Sequence, residues 1–173
     1  VFSQAKDPYQ DYFDWEKNKK YLSRIVAKCY GPTNNLILSL IDEYGMKVTY
    51  SLSGVFIEQC EKFHPEVIES FQQLVSTGHV ELLEETYYHS LASIHSKDEF
   101  KEQVKKHSEL MKDLFDYKPR VFRNTEALYS NEIAKIVEDM GYDGIIAEGA
   151  DKVLGWRSPN YLYTPPDSSI KVL

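Results

Sequence analysis

The sequence is poor in cysteine. Only Cys29 and Cys60 occur, and no CxxC pair exists, which excludes a disulfide framework. Both lie in segments that read as helices, so buried thiols are expected, and a reducing, cytoplasmic setting fits. Clustered positive charge is also lacking. Lys and Arg total 20 against 27 Asp and Glu, the formal charge is −7 and the pI is about 5.3. Phosphate-dominated binding to nucleic acid is therefore not expected. No apolar run is long enough to span a bilayer and no signal-peptide pattern opens at Val1, so no membrane partner is expected. GxGxxG, GxxxxGK[ST] and GxSxG are absent as well, which removes the usual support for dinucleotide, nucleotide and serine-hydrolase chemistry.

What is present suffices for one core. The chain has 173 residues, 42% of them hydrophobic, and residues 1–173 are expected to form a single domain. Thirteen Tyr, eight Phe and two Trp supply rings with apolar faces and polar rims. Such rings suit sugars, and they suit ordinary core and rim packing equally. The chain opens at Val1 rather than Met and closes on Ile170-Lys171-Val172-Leu173, which reads as a strand begun. Flanking sequence is expected at either end.

Residues 1 to 13 read as irregular and tyrosine-rich. A helix is predicted over 14–30, with Trp15, Leu22, Ile25, Val26 and Cys29 on one stripe. A second follows over 32–44, with Pro32 in its first turn, Gly45 as its stop, and Leu36, Ile37, Leu40 and Ile41 inward. Further helices are predicted at 55–63, 65–77, about 97–116 and 130–140. Ser96-Lys97-Asp98-Glu99 is a capping box for the third of these. Strands are predicted at 47–52, 79–83, 120–123 and 143–147, with a fifth starting at Ile170, and 149–169 reads mostly as loop. Alternation of helix and short strand implies an α/β fold of parallel strands covered by helices, with function at the C-terminal strand ends.

Polar and acidic residues collect at those ends. Ser51 and Ser53 follow the first strand. Glu84, Glu85, Tyr87, Tyr88 and His89 follow the second, with Glu81 inside it. Arg123, Asn124 and Glu126 follow the third, and Glu148 and Asp151 the fourth. Several carboxylates without a cysteine or histidine cluster suggest acid–base or carboxylate-nucleophile chemistry, and glycoside hydrolysis needs such a pair. His79, His89 and His95, with Asp98 nearby, lack HExxH spacing, although His79 and Glu81 alternate on one strand face and suit metal ligation. His64, before Pro65, and His107, on a core stripe, read as structural.

Three segments carry a resemblance. Gly78-His79-Val80-Glu81-Leu82-Leu83, continuing to Tyr87-Tyr88-His89-Ser90-Leu91-Ala92-Ser93-Ile94, resembles the second signature region of family 57 glycoside hydrolases. Val121-Phe122-Arg123-Asn124-Thr125-Glu126 resembles the third, which carries the nucleophile. Glu148-Gly149-Ala150-Asp151, with Gly155-Trp156-Arg157-Ser158-Pro159-Asn160-Tyr161, resembles the segment that follows in the α-amylase-like branch. The resemblance runs from about Asp11 onward. It implies a seven-stranded β/α barrel, of which this chain is an internal part, and an activity on α-glucans, either hydrolysis or glucan transfer. In the family the nucleophile ends the fourth strand, and Glu126 follows the third one visible here. An upstream strand with a His-Gln-Pro motif and a catalytic Asp beyond Leu173 are therefore expected outside the chain.

The resemblance assigns Glu126 as catalytic nucleophile and Glu81, His89, Arg123 and Trp156 as substrate-binding residues, with no metal and no cofactor. His89-Ser90 stands where many relatives have Glu-Pro, and Arg123 where transferases often carry Trp. The implied reaction is a retaining double displacement, with an acid about 5 Å from the nucleophile. In it Arg123 and Asn124 keep Glu126 ionised, and Glu148 and Asp151 lie behind the reacting groups. Each assignment has a plainer counterpart. Glu126 would cap the 130–140 helix, Glu81 would be a buried strand carboxylate paired with a base, and Trp156, Tyr161 and Tyr163 would pack a proline-rich loop. Arg157 is expected to pair with a nearby acid. Two other classes are compatible with the same residues, a polysaccharide-deacetylase-like metalloenzyme and a non-catalytic carbohydrate-binding fragment. The oligomeric state has no signal in the sequence.

Overall fold

The computed structural model describes residues 12–173. The irregular stretch expected at 1 to 13 lies almost wholly outside the described residues.

Helix α1 (Trp15–Ile25) starts at Asp14, whose carboxylate accepts from the Lys17 amide. It runs without a break through a π-helical turn (Val26–Tyr30) into α2 (Gly31–Tyr44). The Gly31 amide reaches back five residues to the Val26 carbonyl. One extra residue in a turn rotates everything after it by about 100° relative to an uninterrupted helix. The expected stripes are only partly buried. Leu22 and Ile41 are buried, whereas Ile25 and Leu36 are exposed. Cys29 is exposed too, contrary to the expectation of a buried thiol, while Cys60 is fully buried. Burial pushes the Cys60 thiol up to about 12, so it packs as a small apolar group.

Strand β1 (Val48–Tyr50) leads to α3 (Gly54–Phe63), capped by Ser53, and α4 (Pro65–Ser76), opened by Pro65. Strand β2 (Val80–Leu82) follows, then a short α5 (Ala92–His95) and the long α6 (Lys97–Phe115). Ser96 caps α6 as expected, its Oγ accepting from the Glu99 amide at 3.3 Å. The box is not closed, because the Ser96 amide donates to the Ala92 carbonyl and the Glu99 carboxylate accepts from Gln103. Strand β3 (Val121–Arg123), a 3-10 turn (Thr125–Ala127), α7 (Asn131–Asp139), β4 (Gly144–Ile146), the short α8 (Asp151–Leu154) and β5 (Lys171–Val172) complete the order.

All pairings between these strands are parallel: β1 with β2, β3 with β4, and β4 with β5. A parallel bridge between Glu84 and Phe122 joins the two sheets into one arc, β1 to β5. The expected α/β alternation is therefore observed, with strands shorter than predicted.

Two apolar clusters back the arc. The first joins α1 to α4 with β1, β2 and the end of α6, through Ile57, Phe71, Leu74, Leu82, Met111 and Phe115. The second joins the start of α6 with β3, β4, α7 and Ile170, through Phe100, Val104, Phe122, Val137 and Ile145. Helix α6 contributes to both. His107 lies between Val104 and Met111 on the same stripe and is fully buried.

Candidate active site

Successive residues leaving a strand point to opposite faces. Leu82 faces the first cluster, so Glu84 shares its side and Glu85 takes the other. The structure follows that rule. Glu84 is fully buried beneath α6, where one carboxylate oxygen meets His107 Nδ1 and the other accepts from the Tyr142 hydroxyl at 2.8 Å. His107 Nε2 lies 2.7 Å from the Leu52 carbonyl oxygen. Both ring nitrogens thus face acceptors, which the imidazolium form alone can satisfy. Burial by itself would lower the His107 pKa. The hydrogen bond and charge of Glu84, with the Leu52 carbonyl and the charge of Glu85, outweigh it and raise the pKa above 6.5.

Glu85 is buried on the opposite side. Ser51, just past β1, donates its hydroxyl to Glu85 Oε1 at 2.7 Å. Glu85 Oε2 lies 3.0 Å from His89 Nδ1. His89 Nε2 in turn lies 3.6 Å from Glu126 Oε1, an ion-pair spacing rather than a hydrogen bond. Along this chain exposure rises from 3% for the Glu85 side chain to 39% for His89 and 75% for Glu126. The line therefore runs from inside the fold to solvent and ends on an exposed carboxylate.

Backbone strain marks the same place. Among the described residues His89 (φ 51°), Asp116 (φ 47°), Glu126 (φ 54°) and Ala127 (φ 52°) are non-glycine residues with positive φ. Asp116 is accounted for as the left-handed cap of α6, its amide bonding Lys112 and Met111 carbonyls. The other three bring His89 and Glu126 together. Their turns are held by His89 N–H to the Thr86 carbonyl (3.0 Å), Ser90 N–H to Thr86 Oγ1 (3.1 Å) and Ala127 N–H to the Asn124 carbonyl (3.0 Å). Thr86 and Thr125, both buried, join the turns through their hydroxyls at 3.0 Å. Left-handed backbone at a β-carbon costs about 1 kcal/mol or more per residue and persists where the surroundings over-determine it.

The remaining sequence-assigned residues fall in different places. Arg123 lies one step past the Glu84–Phe122 bridge, beside Glu85 at the same strand edge, and is half-buried. Asn124 makes its side-chain hydrogen bonds away from Glu126. Its amide nitrogen donates to Ser93 Oγ and the Leu128 carbonyl, both at 3.0 Å, and its buried Oδ1 has no hydrogen-bond partner among the described residues. Glu81 shares the face of Glu85 but stands four residues nearer the N-terminal edge, roughly 13 Å along the strand. Its charge acts on Tyr117 and Arg120. Trp156 follows α8 and is 95% exposed.

Several plainer counterparts are settled by geometry. Ser130, not Glu126, caps α7, accepting from the Ile133 amide at 3.1 Å. Tyr163 is held in the loop by its bridge to Val172 and its hydroxyl bond to the Ser158 carbonyl. Arg157, expected to meet an acid, instead bonds the carbonyls of Leu154 and Val153. His79 bonds the Gly45 carbonyl at the entry to β2, away from His89. Among the described residues no three His, Cys, Asp or Glu side chains converge on a metal-sized point. His64 is tied to Ser23 and Glu66 on the helical side, as expected of a structural histidine.

Sequence reasoning named Glu84 and Glu85 as strand-end acids but gave neither a role, and it passed over Thr86 and Thr125. The alternation of β2 continued by three residues was the available signal for the two acids. Nothing in the sequence marks the threonines, since their contact joins separate turns.

A parallel β/α domain carrying a carboxylate–imidazole–carboxylate line at its C-terminal strand edge defines the class. Within it, the model of glycosyl hydrolase family 57 matches residues 4–173, and the chain belongs to that family. It is 51% identical over 166 residues to a protein from Methanocaldococcus jannaschii named "Putative alpha-amylase", covering 95% of this chain and 35% of that protein. It is 30% identical over 155 residues to an alpha-amylase of Pyrococcus furiosus, covering 88% and 22% respectively. The crystal structure of 4-alpha-glucanotransferase from Thermococcus litoralis matches with a TM-score of 0.77 at 17% identity, over 93% of this chain and 25% of that one. That last likeness is one of fold. The chain spans about a third of the Methanocaldococcus protein's length and under a quarter of the Pyrococcus protein's.

Proposed function

We propose that this chain contributes the nucleophile, Glu126, to a retaining enzyme of α-glucan hydrolysis or glucan transfer. Membership of glycosyl hydrolase family 57 supports the reaction class, and the names of its relatives support the α-glucan. The observation that carries the residue is its position. Glu126 is an exposed carboxylate on a strained turn at the C-terminal edge, with an imidazole 3.6 Å away.

In this reading a Glu126 oxygen attacks the anomeric carbon as the glycosidic C–O bond breaks. A second acid, expected from elsewhere in the full catalytic domain, gives its proton to the leaving oxygen. Water or an acceptor sugar hydroxyl then loses its proton to that acid's conjugate base and displaces Glu126. Arg123 hydrogen-bonds sugar hydroxyls, and Trp156 offers an exposed ring to a sugar face. The described residues form one unit of the barrel, and the enzyme works in the cytoplasm without a metal. Among the described residues no helix is long and apolar enough to cross a membrane.

The test is Glu126→Gln in a protein of the relatives' length, assayed for α-glucan cleavage and transfer. A loss of roughly 10³-fold or more in kcat is expected. Near-parental turnover would end the assignment.

A further inference from the structure

We propose that Glu85 is a positioning residue for this site, acting on Glu126 through His89. The inference rests on the assignment of Glu126 as nucleophile and extends it to how that carboxylate is held. His89 has a carboxylate oxygen beside each ring nitrogen, Glu85 Oε2 at 3.0 Å from Nδ1 and Glu126 Oε1 at 3.6 Å from Nε2. An imidazole so placed has its ring plane and rotation set by the inner, hydrogen-bonded partner, and the outer nitrogen is thereby aimed. Glu85 suits the inner place because it is itself held, buried and bonded through Oε1 to Ser51.

The backbone gives an independent reason. His89 and Glu126 both sit in the left-handed region, and the buried Thr86–Thr125 contact ties their turns together. Strain maintained on both sides of one contact is spent on bringing those two side chains face to face. A histidine that merely filled space would need neither. Ser51, Glu85, His89 and Glu126 thus form one line, from the end of β1 across β2 to β3, in which only the last group meets substrate. His89 Nε2 lies against Glu126 and limits rotation of that carboxylate before attack.

The experiment uses the protein at its relatives' length. Glu85→Gln keeps the size of the side chain and removes its charge. The expected result is a fall in kcat of about 10-fold to 100-fold with KM within about 2-fold of the parent. His89→Asn is expected to cost a similar factor, and the double variant no more than the worse single, because both act along one line. Parental kcat in Glu85→Gln, or losses that multiply in the double variant, would overturn the proposal. Should Glu85→Gln fail to fold, Ser51→Ala loosens only the outer support of Glu85. A lowered kcat there supports the proposal, and an unchanged kcat overturns it. Nitrogen resonances of the His89 ring separate this proposal from the assignment beneath it. If Glu126→Gln stays active, the nucleophile assignment falls. The His89 signals must still move on Glu85→Gln, and unmoved signals overturn the positioning role by themselves.

Discussion

Glu84 and His107 bury two charges that could have been two apolar side chains. Each is fully buried, and Tyr142 and the Leu52 carbonyl satisfy their outer atoms. Taking one member from such a pair strands the other, at a cost of about 3–5 kcal/mol. Glu84→Gln is expected to lower the unfolding free energy by that order in chemical denaturation. The double replacement Glu84→Leu, His107→Leu is expected to recover most of the loss. The pair also predicts a pH dependence. The His107 pKa is raised on folding from 6.5, so the folded state binds this proton more tightly than the unfolded chain does. Its stabilisation is complete below 6.5 and is lost as pH rises through the raised folded value. Denaturation midpoints measured between about pH 6 and pH 9 should fall, and His107→Gln should flatten that part of the profile.

Elements here are set by their ends more than by their middles. Ser53, Ser96 and Ser130 each cap a helix, and the left-handed Asp116 ends α6. Ser130→Ala removes the cap of α7, the helix whose Ile133, Ala134 and Val137 back β3 and β4. A loss of about 1 kcal/mol in thermal or urea unfolding is expected, with kcat unchanged. Ser96 was legible from its spacing to Glu99, whereas the cap of α7 was expected at Glu126 and lies at Ser130, the residue directly before the helix. The π-helical turn at Val26–Tyr30 was not legible, since each half of the helix fits ordinary periodicity and only their relative phase changes. Cys29, inside that turn, is exposed. At the site, Thr125→Val keeps the shape and removes the hydroxyl that meets Thr86. It is expected to reduce kcat more than stability, read by comparing turnover with the unfolding midpoint.

At the scale of the molecule, α6 spans two apolar clusters with His107 at their junction. The buried polar pair therefore sits where β1, β2, α6 and the start of β4 meet, beneath the line from Ser51 to Glu126. A double displacement needs a second carboxyl group about 5 Å from the nucleophile. Of the described residues near Glu126, Glu85 is occupied by Ser51 and His89 and is screened from solvent. The 173-residue chain alone is accordingly expected to show no turnover of α-glucan, and measurable turnover by the purified chain would contradict this.

The sequence by itself determined the alternation of helix and strand, the parallel sheet, the cap at Ser96, the family and the strand ends where acids collect. These depend on local periodicity and on neighbours a few residues apart. Tertiary structure alone decided which of two adjacent acids faces which side, with Glu84 toward His107 and Glu85 toward His89. It also decided that His89 meets Glu126 and that Asn124 bonds Ser93. Apart from Glu85 and His89, four positions apart, these choices rest on bonds between residues 23 to 55 positions apart in separate elements. No short-range pattern encodes them, because each partner's direction is set by a different strand.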